Sequence, residues 1–175
     1  MSAPYNILRS KLARAIVAYL IEQGAGTAAD ISPARSRQPK GYPCTEVIPA
    51  ISRPEVQFAA VRRITVHISI KGTASKATPG EGLDAARQAF DARCAATYDA
   101  LLVGDGQSFQ ATADAITDAG RALAVADPTG NADLADFTVQ AWYEQGEGEG
   151  TAEAEGCDWE EVLMFDAICC GSNVS

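Results

Sequence analysis

The residues able to do chemistry are few and scattered. The single histidine, His67, sits inside the alternating stretch Arg62–Lys71, with no nucleophile or base placed around it in a recognisable pattern. It reads as a histidine on a strand face. Glu160 and Glu161 follow Trp159. Two carboxylates beside an aromatic ring are the groups of sugar hydrolysis. Consecutive strand residues point to opposite faces, however, so this pair cannot flank one bond. The five cysteines, Cys44, Cys94, Cys157, Cys169 and Cys170, are odd in number and contain no CxxC. Together with His67 they lack the ligand spacing of a zinc site, so they read as reduced, partly buried thiols. Cys169 and Cys170 are expected on opposite faces of a strand. No phosphate-binding loop ending in Lys-Ser/Thr, GxSxG or HExxH occurs. Gly104-Asp105-Gly106 reads as a helix stop. The expectation is a protein without enzyme activity, cofactor or metal.

Two charged segments remain. Residues 146–156 read GEGEGTAEAEG and carry Glu147, Glu149, Glu153 and Glu155. They lack the regular ligand spacing and fixed glycine of a calcium loop. The expectation is a flexible hairpin tip whose carboxylates line a channel or face a partner. Residues 27–42 are proline-rich and carry Arg35, Arg37 and Lys40. Prolines and charges exclude that stretch from a core, so it is expected to be an exposed loop that makes a subunit contact. The net charge is −9. A free acidic protein does not collect on DNA, because affinity for phosphates comes from Lys and Arg. The same negative charge around a channel would let DNA slide through.

The elements that must position these residues follow from periodicity. The chain has 175 residues, 47% apolar and 21% charged, which fits one globular domain. No apolar run approaches the roughly 18 residues that span a bilayer. Pro4–Gln23 reads as a helix, not a signal peptide, because Arg9, Lys11 and Arg14 interrupt its apolar residues Ile7, Leu8, Leu12, Ala15, Ile16, Tyr19 and Leu20. A short strand is expected near Ala28–Ile31. Pro43–Ser52 follows as a strand that Pro49 and Pro54 assign to an edge or bend. Val56–Lys71 is the clearest strand, with Arg62, Ile64, Val66, Ile68 and Ile70 on one face. Residues 72–82 read as a flexible linker. Helices are expected over Leu83–Leu102, striped by Leu83, Ala86, Phe90, Cys94, Tyr98, Leu101 and Leu102, and over Ser108–Ala126, with Ser108 as cap and Ile116, Leu123 and Val125 as its apolar residues. Two strands close the chain. In Asp136–Gln145, Phe137, Val139, Ala141 and Tyr143 share a face; in Cys157–Cys170, Trp159, Leu163, Phe165, Ala167 and Cys169 do. Trp142 and Tyr143 are expected in core or interface packing. The fold class is α/β of the α+β kind, a mixed or antiparallel sheet flanked by helices in the order α-β-β-α-α-β-β.

Four stretches carry a resemblance. Ala3-Pro4-Tyr5-Asn6-Ile7-Leu8-Arg9 opens an amphipathic helix. A basic, proline-rich loop ends in Tyr42-Pro43-Cys44-Thr45-Glu46-Val47. The long strand Arg62-Arg63-Ile64-Thr65-Val66-His67-Ile68 follows. The last hairpin ends in Phe165-Asp166-Ala167-Ile168-Cys169-Cys170. This order of elements resembles the tail-terminator, or tail-completion, proteins of long-tailed bacteriophages. The acidic tip and the two-helix middle are longer than in the simplest members. The resemblance implies a virion protein, assembled in the host cytoplasm, that forms a hexameric ring on the head-proximal end of the tail tube. Its partners would be the tail tube protein and the head-side connector or stopper. Genomic DNA would pass through the ring without specific binding, and no membrane is involved. It also implies a ring closed by heterologous contacts, with strand edges available for extension between subunits. The alternatives are a connector or stopper protein of the neck, and a small α/β ligand-binding or regulatory module.

Overall fold

Pro4 opens the first helix, α1 (Pro4–Glu22), at a position where a missing amide hydrogen costs nothing. Gly24 ends it at φ +74°. The Ala25 amide donates to Leu20 O and the Gly24 amide to Ile21 O, which satisfies the last carbonyls in a Schellman turn. In this computed structural model the described residues are 4–33, 41–54, 61–74, 81–102, 109–145, 152–154 and 158–171. The strands are β1 (Ile31–Ser32), β2 (Cys44–Pro54), β3 (Val61–Thr73), β4 (Thr138–Glu144), β5 (Ala152–Ala154) and β6 (Asp158–Cys170). The further helices are α2 (Glu81–Leu102) and α3 (Phe109–Ala126), followed by a short 3-10 turn at Ala132–Leu134.

The strands form one mixed sheet in the order β1-β2-β3-β6-β4, with β5 pairing a second stretch of β6. Among the described strands only β1 and β2 run parallel. The longest ladder joins β3 to β6 from Val61↔Cys170 to Thr73↔Asp158. Alternation decides its two faces. Ile64, Val66, Ile68 and Ile70 of β3 stand beside Ala167, Phe165 and Leu163 of β6, and this face carries the core. All three helices pack on it. Leu8, Leu12, Ile16 and Leu20 of α1 are buried, Phe90 of α2 lies 5.9 Å from Trp159 of β6, and Thr117 of α3 bonds the backbone of Val139. The α+β class and the helix-flanked sheet are therefore as the sequence implies.

Several local expectations change. The alternation expected along β4 breaks at a bulge between Val139 and Ala141. Phe137 and Val139 are buried, but the next buried residue is Trp142, stacked on Phe165 at 4.8 Å. Ala141 and Tyr143 turn to the other face. An extra residue in one strand reverses every side chain beyond it. Gly72 and Thr73, expected in a linker, extend β3 instead. A Cβ on Gly72 would stand 2.8 Å from Phe90 Cδ2, so the glycine is needed where α2 crosses the strand. Lys11, expected between the apolar residues of α1, is only 3% exposed. Its ammonium reaches Asp136 at 3.3 Å while its stem packs beside Gly171. Val125 is 84% exposed, and Leu83 and Tyr98 lie largely in solvent. In their place α3 buries Thr112, Ala113, Ile116, Thr117, Ala119, Gly120 and Ala124. Small residues let α1 and α3 approach closely: a Cβ on Gly120 would sit 3.1 Å from Ala15 Cβ.

Candidate functional site

Among the described residues, no helix covers the second face of the sheet. The register lays it out in rows across β2, β3, β6 and β4. Arg63, Ile168 and Ala141 form the first row, and Thr65, Asp166 and Tyr143 the second. Ile48, His67 and Met164 form the third, Glu46, Ser69 and Val162 the fourth, and Cys44, Lys71 and Glu160 the fifth. The middle row is half-buried and mostly apolar; polar clusters flank it on both sides.

Asp166 organises the first cluster. It is 7% exposed and accepts from Thr65 Oγ1 at 2.7 Å and from Gln145 Nε2 at 2.6 Å. Arg63 stands 3.7 Å from Oδ2, the oxygen that accepts from Gln145, and places its guanidinium 5.8 Å from the centroid of the Tyr143 ring. β3, β6 and the residue following β4 are thus tied together at one carboxylate. In the second cluster Lys71 donates to Glu46 at 2.8 Å, and Ser69 donates to Glu160 at 2.6 Å. Glu46 is 1% exposed. Burial acts to lower the Lys71 pKa, but the hydrogen bond and charge of Glu46, with the charge of Glu160, hold it above its ordinary value. At this end a cleft of about 270 Å³ is lined by Tyr42, Lys71, Gly72, Thr73, Asp158, Trp159 and Glu160.

Glu160 and Glu161 fall on opposite faces. Glu160 meets Ser69, whereas Glu161 faces the helices, where it raises the Cys94 thiol. Burial first, then Glu161, pushes that thiol up to about 12. Burial likewise raises Cys169, which is fully enclosed, while Cys170 on the other face accepts from Gln140 at 3.3 Å. His67 stands between Ile48 and Met164. Among the described residues no group of three or more His, Cys, Asp or Glu side chains could hold a metal ion. Among them, too, no helix is long and apolar enough to cross a membrane.

Of the residues expected to make contacts, Arg35, Arg37, Lys40, Glu147, Glu149 and Glu155 lie outside the described residues. Glu153 is placed by its backbone in β5, opposite Trp159, so part of the expected flexible tip is strand. Around the basic segment, the turn before β1 is held by Asp30, which receives both Arg93 nitrogens at 3.0 Å. The sheet's outer edges are blunted. Arg9 donates to Pro49 O, and to Ala50 O at 3.1 Å, at the bulge of β2, and the Thr117 hydroxyl accepts from the Val139 amide at the start of β4. The sequence did not reveal the Asp166 cluster, because its partners lie up to 101 residues apart.

No protein-family model and no curated protein matches this chain. The uncovered face and the charge distribution therefore carry the functional reading.

Proposed function

We propose that this chain is a structural subunit of the tail-terminator type. It would form a hexameric ring that caps the head-proximal end of a phage tail tube, stops tube growth and joins the tail to the head-side connector or stopper. The observation that carries the reading is the sheet face that no described helix covers. Its long strands present a broad surface on which Lys71 and Arg63 are already matched by Glu46 and Asp166. Cations held in this way offer little to a phosphate backbone, so such a wall would let DNA pass without retaining it. The net charge of −9 acts in the same direction. The reading requires no catalysis, cofactor or metal.

Native mass spectrometry of the purified protein, alone and with tail tube protein, tests the proposal. A hexamer, or a tube end capped by one ring, is expected. A ring that binds the head-side connector but not the tube would make it a neck stopper. A monomer that carries a small metabolite and ignores the tube would make it a ligand-binding module, for which the cleft at Tyr42, Lys71 and Trp159 would be the site.

A further inference from the structure

The charge of this chain is split between its two halves. Residues 1–71 hold ten of the 14 Lys and Arg but four of the 23 Asp and Glu, a net of +6. Residues 72–175 hold the other four basic and 19 acidic residues, a net of −15. Sheet topology carries this split into the described strands: β2 and β3 hold Arg53, Arg62, Arg63 and Lys71 against Glu46, whereas β4, β5 and β6 hold six carboxylates and no Lys or Arg. β1, β2 and β3 come from the first part and lie side by side; β6, β4 and β5 come from the second and form the other side. α1 packs on α3 and reaches β2, and α3 packs along β4.

We infer that the two lateral sides of the subunit are complementary surfaces, so that the β1–β2 side of one copy docks on the β4 side of the next. This rests on the ring proposed above and names its contact. On the basic side a cleft of about 400 Å³ is lined by Arg9, Ser10, Ala13, Arg14, Pro33 and Pro49. The Arg9 guanidinium bonds main-chain carbonyls, which leave its charge uncancelled, and among the described residues it meets no carboxylate. On the acidic side Glu144 is exposed at the end of β4. Tyr143 (46% exposed) lies on one face of the sheet beside it, and Tyr98 (41% exposed) stands over it on the other, its hydroxyl 3.4 Å from Glu144. Two aromatic side chains flanking a carboxylate form a projection of the kind that anchors interfaces, and the cleft has the opposite sign through Arg9, since Arg14 is paired with Asp133. Because both sheet edges are blunted, side chains and not added ladder bonds make the contact. Two different patches per copy generate a head-to-tail arrangement, which closes into a ring when the rotation permits.

Glu144→Lys and Ser10→Glu test this. Both positions are exposed, and Ser10 places a negative charge in the cleft without touching the Arg9 contacts. Wild-type rings should dissociate as salt rises. Each variant alone should associate roughly ten-fold or more weakly at low ionic strength, because like charges then meet. An equimolar mixture of the two should recover rings in which the variants alternate, since every contact then joins opposite charges. Thermal unfolding should confirm that both variants fold. Rings of either variant with wild-type salt dependence, or no recovery on mixing, would overturn the inference while leaving the terminator reading intact. A wild-type protein that forms no ring, even on tail tubes, would overturn both.

Discussion

Replacing Asp166 by Ala removes the acceptor shared by Thr65, Gln145 and Arg63. A hydrogen bond to a charged group contributes about 1.5–3 kcal/mol when shielded and less where water can replace it. Thr65 is half-buried and Gln145 exposed, while Arg63 lies 3.7 Å away with its side chain 39% exposed. Only the first bond approaches full value, and the Arg63 pair contributes under about 1 kcal/mol. The expected loss for Asp166→Ala is therefore about 2–3 kcal/mol, or a fall in Tm of roughly 5–10 °C for a chain of this size. Asp166→Asn should cost about 1 kcal/mol less than Ala. Its oxygen still accepts, the Thr65 hydroxyl can rotate, and the Gln145 amide can flip to accept from the new NH₂ group. Urea unfolding of the three proteins measures the order, and hydrogen exchange adds a local readout. The Gln145 amide, which donates to Met164 O at 2.9 Å, should lose protection in the Ala variant. An Ala variant within about 0.5 kcal/mol of wild type, near the noise of a surface substitution, would refute the role of Asp166 as a tie between strands. Equal losses for Asn and Ala would refute the hydrogen-bond account.

Gly72→Ala should destabilise by about 1–3 kcal/mol, because the new Cβ meets Phe90 Cβ and Cγ at 3.0 Å as well as Cδ2; a neutral result in thermal unfolding would mean that α2 is free to lift from β3. The Arg14 hydrogen bond and charge hold Asp133 below its ordinary pKa, so that contribution is present above the unfolded carboxylate's pKa and is lost as pH falls through the depressed folded value. Arg14→Gln should accordingly be less stable than wild type at neutral pH, and the two curves should converge in acid; a constant gap down to the lowest pH would contradict the pairing. Cys94, with its thiol pushed up to about 12 first by burial and then by Glu161, should resist iodoacetamide at pH 7.5 in the native state, as read by peptide mass spectrometry. Rapid modification of Cys94 would show that the α2–β6 packing opens.

Much of the scaffold is legible in the residues themselves. α1 follows from its period of apolar positions, its opening proline and the glycine at its end. The faces of β3 and β6 follow from strict alternation, and so does the separation of Glu160 from Glu161. Each of these is a local property, set by 3.6- or 2-residue geometry within one element. β4 illustrates where local reasoning ends. Its alternation put Ala141 and Tyr143 on the face of Phe137 and Val139, but a bulge in its pairing with β6 brought Trp142 onto Phe165 instead.

By itself the sequence determined the helices and strands, the odd set of thiols without ligand spacing, the acidic balance and its uneven distribution along the chain. Only the tertiary structure decided what those features became. The strand order set β1, β2 and β3 on one side and β6 and β4 on the other, which made a division of charge along the chain a division between the described strands. Packing the three described helices on one face left the other without a described helix, and the register joined Thr65, Gln145 and Arg63 at Asp166. Which strands pair and which face is covered depend on contacts between residues far apart in the chain, and no local period records them.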